Sequence, residues 1–252
     1  MSQPRTASLY HATFDPVTAA LVVLAAIATL LVAQAVLHAV GSIDTITIAG
    51  GELALVALPI ALALRARSPA AVLGHARPRA RFVVAAVLVG ASIWYANLWI
   101  AHWVRFDDDR GLGNAIDRDA LALTIVGFAF VPAACEELVF RGVLARALAR
   151  RLPVIAAIAI SAAVFALFHM RLVQLAPTFT LGLAFGAIAV RADSAIPTMI
   201  GHAINNAIAV AISRGHFADQ LNWLFAHDRL SIPASFVLVA TGVAIAIPRG
   251  VT

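Results

Sequence analysis

The polar positions of this chain are few, and they fall in clumps separated by long apolar runs. Eight runs stand out, at residues 17–40, 46–64, 82–104, 120–140, 153–170, 174–191, 195–213 and 232–248. A bilayer-spanning helix needs about 20 mostly apolar residues, so these runs are sized for crossing a membrane rather than for a soluble core. Some are short or interrupted by Gly and Pro. Pro153, Pro197 and Pro233 each follow an interruption, where proline suits a first helical turn. The pattern predicts an all-α fold: a polytopic membrane helix bundle of about eight transmembrane helices, forming a single integral-membrane domain over 1–252. Three polar stretches punctuate it. Ser68–Arg81 reads as a basic interfacial segment, Arg105–Asp119 as a polar loop, and Arg214–Ser231 as a helix lying on the surface.

Composition supports this and narrows it. The chain is 62% hydrophobic and only 12% charged, with a mean hydropathy of +0.93, which excludes an ordinary soluble domain. All 18 basic residues are arginine. They lie between the apolar runs, so the net charge of +5 reflects topology and not nucleic-acid binding. With the N-terminus inside, the inner segments hold 12 arginines and the outer loops hold 6. This positive-inside bias predicts that both termini are cytoplasmic, in what we read as a bacterial plasma membrane. Trp99 and Trp103 then fall at the outer interface. The first apolar run is too long for a signal-peptide core. Cys135 is the only cysteine, so no intrachain disulfide is available.

Against this background "PAACEELVFRG" (Pro132–Gly142) is anomalous. The chain has three glutamates, and two of them, Glu136 and Glu137, are adjacent within an apolar run; the third is Glu52. An ionisable group at membrane depth costs about 2.5–3.5 kcal/mol on insertion scales, so such residues pair, face a polar cavity or do chemistry. Glu137 and Arg141 are i,i+4 with the acid N-terminal, the favourable order for a helix ion pair. Glu136 is rotated by about 100° and points elsewhere. Further on, Phe165 and His169 share i,i+4 spacing, as do His202 and Asn206, with Asn205 between them. Alone, each group reads as helix–helix packing or hydrogen bonding. Converging from three neighbouring helices, they would bring a carboxylate, two imidazoles and an amide into the bilayer. That set can activate water and stabilise an oxyanion. Equally, Glu136, His169 and His202 could ligate a catalytic divalent metal such as zinc. The implied depths of the three groups agree only if helices tilt, break or start below the surface. Pro132 is placed to kink the fourth run, and Gly182 and Gly186 form a GxxxG that permits close helix contact.

These segments resemble the CAAX protease and bacteriocin-processing family of intramembrane proteases, also called CPBP or Abi. Its pattern EExxxR, FxxxH, HxxxN reads here as Glu136-Glu137-xxx-Arg141, Phe165-xxx-His169 and His202-xxx-Asn206. "EELVFRGVL" and "DSAIPTMIGHAINN" also resemble its wider consensus, and "LGHARPR" is similar to a basic segment often found upstream. The similarity covers about residues 120–212, flanked by N-terminal helices in 1–119 and a C-terminal helix region in 213–252. The resemblance implies an eight-helix bundle that hydrolyses a peptide bond in a membrane-associated or lipidated protein. Carried over residue by residue, it makes Glu136 the base on water with His169 assisting. His202 and Asn206 become the oxyanion donors, with Glu137, Arg141 and Phe165 in support. The family has been described both as metal-dependent and as a glutamate protease. Asn206, a natural oxyanion donor and a poor metal ligand, favours glutamate-activated water. No HExxH or GxSxG occurs, so zinc-helix and serine classes are disfavoured. A transporter using the polar cluster to bind substrate and a non-catalytic immunity or scaffold relative are the alternatives.

Overall fold

The computed structural model describes residues 13–104 and 119–247, all helix and connecting turns apart from one isolated bridge between His75 and Ser194. Nine helices carry the fold. They are α1 (Pro16–Ala39), α2 (Asp44–Ala63), α3 (Ala80–Val104), α4 (Leu121–Leu148), α5 (Val154–Phe168), α6 (Leu172–Ala192), α7 (Ile196–Ser213), α8 (Ala218–Ala226) and α9 (Asp228–Ala246). A single helical turn at Pro69–Val72 lies between α2 and α3. Seven of these helices are long and apolar enough to cross a membrane, which makes the chain a polytopic membrane bundle.

The eighth expected span is different. Helix α5 has 15 residues and stops at Phe168, so it rises only roughly 22 Å against a hydrocarbon core of about 30 Å. Met170 then turns the chain with a φ of 50°, unusual for a residue with a side chain, and α6 starts two residues later. His169 is therefore the C-cap of α5, at the turn into α6. Other boundaries also move. Pro153 precedes α5 rather than sitting inside it, and Pro233 lies in the sixth position of α9, which starts at Asp228. The stretch Arg214–Ser231 is not one surface helix. It divides into α8, which has no buried residue, and the start of α9. Trp99 is partly exposed and meets Phe236 edge-on, with ring centroids 6.0 Å apart. Residues 105–118, expected to form most of a polar loop, the side chain of Trp103, Arg5 and Arg249 lie outside the described residues.

Helix α4 is the axis of the bundle: 61% of its most apolar window is buried, against 22% for α1 and α9. It packs against α1, α2, α5, α6 and α7, while α3 is clasped by α6, α7 and α9. Small residues allow the closest approaches. A Cβ on Gly90 of α3 would lie 2.0 Å from the carbonyl oxygen of Gly201 on α7, and one on Gly201 would lie 2.3 Å from that of Ala86. The GxxxG of α6 acts as its spacing suggests: Gly182 faces Ala162 and Gly186 faces Ile158 on α5.

The basic segment after α2 is more than interfacial. Its backbone is docked onto the end of the bundle, with Ala195 N–H donating to Gly74 O at 2.8 Å and Ser194 Oγ donating to Ala76 O at 2.7 Å. Arg146 holds it there. This side chain is buried, ion-paired with Asp193 at 2.7 Å, and donates to Ala71 O at 2.9 Å. Arg146 therefore serves as a buried clamp, although the sequence pattern suggested only a charge in an inner loop.

The α3–α7 contact gives a direct test. Neither the Gly201 carbonyl nor its helix can retreat as a flexible side chain would, so Gly90→Ala should act as an overpacking substitution costing about 1–3 kcal/mol. The expected readout is a lower unfolding midpoint of purified detergent-solubilised protein.

Candidate active site

Two stretches of α4, Ile125–Phe130 and Leu138–Ala145, are wound as π-helix, and the α-helical segment Val131–Glu137 between them carries both glutamates. Such insertions are rare and re-aim the side chains around them. Pro132 adds to the break. It lacks the N–H that would bond Phe128 O in a regular helix. That carbonyl instead accepts from Asn206 Nδ2 on α7, at 3.4 Å. The proline in one motif thus anchors the asparagine of another.

A cavity of about 540 Å³ opens beside this break. Its lining comes from the first halves of α2 and α6, the first half and middle of α4, the last half of α3, the middle and last half of α7, and the turn after α5, so the cavity runs from one end of the bundle to its middle. Glu136, His169, His202, Asn205 and Asn206 all line it. Glu137 and Arg141 do not; they are fully buried behind it.

Glu137 organises this arrangement. Its Oε1 lies 3.0 Å from Arg141 Nη1 and 3.0 Å from His202 Nδ1. The arginine contact is one of charge, since its N–H is not aimed well enough to count as a hydrogen bond. Arg141 is further held by the face of Phe165, with its guanidinium carbon 4.0 Å from the ring centroid. The same ring meets His169 and His202 edge-on, at 4.8 and 6.0 Å. Phe165 is thus the apolar partition against which the arginine and both imidazoles rest.

Hydrogen-bond partners fix the histidine protons. A carboxylate only accepts, so His202 Nδ1 carries a proton and donates it to Glu137. Its Nε2 faces Glu136, 3.7 Å from Oε2 and beyond hydrogen-bond range. His169 Nδ1 donates to the carbonyl of Phe165 at 2.9 Å, leaving Nε2 as its free nitrogen. Asn205 Nδ2 donates to Asn206 Oδ1 at 3.3 Å, which orients the Asn206 amide. Glu136 is 6% exposed, and its Oε2 has no hydrogen-bond partner. Glu137 Oε2 likewise has none, so the two acids differ in the partners of Glu137 Oε1 and in the cavity, which Glu136 alone of the two lines.

Among the described residues no group of three His, Cys, Asp or Glu side chains is placed to hold a metal ion. The sequence reading missed contributors. Glu52 on α2 lines the cavity, buried and with Oε2 unpartnered. Its rarity as one of three glutamates was the available signal. Asn97 and Gln174 line the cavity as well, without any motif to announce them.

No curated protein and no solved structure matches the chain. Residues 118–208 match the family model described as Rce1-like, type II CAAX prenyl endopeptidase. This stretch runs from just before α4 into α7 and includes Glu136, Glu137, Arg141, Phe165, His169, His202 and Asn206. The match covers 91 of the 252 residues, and over that stretch the chain is similar to the CAAX protease family.

Proposed function

We propose that the chain is an intramembrane endopeptidase in which Glu136 activates water for attack on a peptide carbonyl. The observation that carries this reading is the unpartnered, cavity-facing carboxyl of Glu136 beside His202, with Glu137 held apart by its own partners. A base must be within reach of its proton and free to take it. Glu136 takes one proton from water as the oxygen attacks, and His169 assists through its free Nε2. The carbonyl oxygen gains charge in the tetrahedral intermediate. Asn206 donates to it with the N–H not given to Phe128. His202 donates through Nε2, and because Nδ1 already bears a proton, the ring then carries both; Glu137 supplies the facing charge. Donors held before the reaction are worth most where water is scarce. The apolar walls at Ile48, Trp94, Leu98 and Leu181 suit a lipid-modified or membrane-embedded substrate.

Division of labour between the acids is the first test. Glu136→Gln should lower turnover by about 10²–10⁴-fold or more while leaving the unfolding midpoint near that of wild type. Arg141→Ala should instead destabilise the fold, by about 3–5 kcal/mol, because it strands the Glu137 charge. Full activity of purified Glu136→Gln on a farnesylated CaaX peptide would defeat the assignment. Uptake activity that survives loss of Glu136 would favour a transporter, and an unchanged cellular phenotype in site variants a scaffold.

Orientation decides from which side substrate arrives. The arginine bias favours both termini in the cytoplasm, and in that orientation the cavity end of the bundle faces outward. Single cysteines introduced as Ser68→Cys and Asp108→Cys in a Cys135→Ala background test this. An impermeant thiol reagent on intact cells should label only the second, whereas the opposite result would turn the cavity toward the cytoplasm.

A further inference from the structure

Glu52 is the buried ionisable side chain for which the reading above has no use. It is 4% exposed in the middle of an apolar helix, lines the same cavity as Glu136, and makes no ion pair among the described residues. Its Oε2 has no hydrogen-bond partner. Glu137 shows how this fold treats a structural carboxylate: it supplies an arginine and a histidine. Glu52 receives neither. An apolar side chain would fill its place on α2 at lower cost.

Register puts the two cavity acids at one depth. Helices α2 and α4 run in the same direction and touch where Thr45 packs on Gly127, a contact so close that a Cβ there would meet Thr45 Cγ2 at 2.4 Å. From that level Glu52 is seven residues along α2 and Glu136 is nine along α4, rises of roughly 10 and 13 Å. Both carboxyls line the one cavity. Glu136 stands on the helix that contacts both α2 and α7. Glu136 comes to the cavity from α4, His202 and Asn206 from α7, and Glu52 from α2, so the cavity offers a base, oxyanion donors and a second carboxyl on three helices.

Resting on the endopeptidase reading, we propose that Glu52 is a second catalytic carboxyl, the group that protonates the departing amine nitrogen. Amide hydrolysis needs this step because an amine anion is too poor a leaving group to depart unassisted. Glu136 removes one proton from water, and the hydroxyl oxygen bonds to the carbonyl carbon. As the C–N bond breaks, its electron pair goes to nitrogen, which takes the proton of the Glu52 carboxyl. The product carboxylic acid then gives up its proton, and the one held by Glu136 is returned. One of these two protons restores Glu52 and the other leaves on the amine as ammonium. Water is the only co-reactant, and no oxidant or reductant is needed.

Leaving-group dependence separates this role from packing. The two probes are a farnesylated CaaX peptide and its analogue with the scissile amide replaced by a thioester, whose thiolate departs without a proton. With wild-type protein in proteoliposomes, both should be cleaved. Glu52→Gln should lower kcat on the amide by about 10²-fold with little change in KM, and should leave thioester cleavage within about threefold of wild type. Glu136→Gln should lose both reactions. Glu52→Asp, which keeps a carboxyl, should recover part of the amide activity, and unfolding midpoints of all variants report folding. An equal loss on both probes, with or without a lower midpoint, overturns the proposal and makes Glu52 structural, as does an undiminished amide rate in Glu52→Gln. Wild-type protein that cleaves neither probe overturns the endopeptidase reading itself, a result distinct from either.

Discussion

The cavity depends on a carboxylate that does not line it. Glu137 is fully buried and shared between Arg141 on its own helix and His202 on α7. In the low dielectric of a bundle core, removing one partner leaves a charge that nothing else can solvate. The three groups therefore stand or fall together, and with them the registration of α4 against α7. Phe165 closes the set from α5, offering its face to the arginine and its edges to both imidazoles. One ion pair, one ring and one hydrogen bond thus connect all three motif-bearing helices.

That framework leaves Glu136 on the cavity side and Glu137 behind it. Glu136 is one residue from Glu137, yet the turn of the helix sends its carboxyl into the cavity, where Oε2 has no partner. The π-wound stretches on either side and the missing N–H of Pro132 interrupt α4 at this level. The break is used: it frees the Phe128 carbonyl to hold Asn206. The short α5 has a similar effect, since its early end sets His169 at the turn into α6, where it lines the cavity.

Close backbone contacts supply the rigidity these placements need. Gly90 and Gly201 bring α3 against α7 one residue from His202, and Gly182 and Gly186 bring α5 against α6. At the opposite end Arg146 and Asp193 pin the segment after α2 across α4 and α6. Apolar packing alone has little directional preference among helices already in lipid, so small residues and buried polar bonds must set the pairings.

The sequence by itself determined the class of fold and the chemical cast. Hydrophobic run lengths specify membrane helices because the bilayer's thickness is fixed. Helical periodicity separates Glu136 from Glu137 and pairs the latter with Arg141, since these are local relations within one helix. Phe165, His169, His202 and Asn206 could be singled out because polar groups in apolar runs are costly. Tertiary structure decided what lies opposite what. No local rule tells that His202 takes Glu137 as its partner, that Asn206 takes a carbonyl released by Pro132, or that Arg146 is a buried clamp. The truncation of α5 is equally silent, because its termination at Met170 lacks the glycine that would have signalled it. Glu52 shows the division most clearly. Its rarity was visible in the chain, but its place beside Glu136 depends on the packing of α2 on α4, a contact between residues more than eighty positions apart.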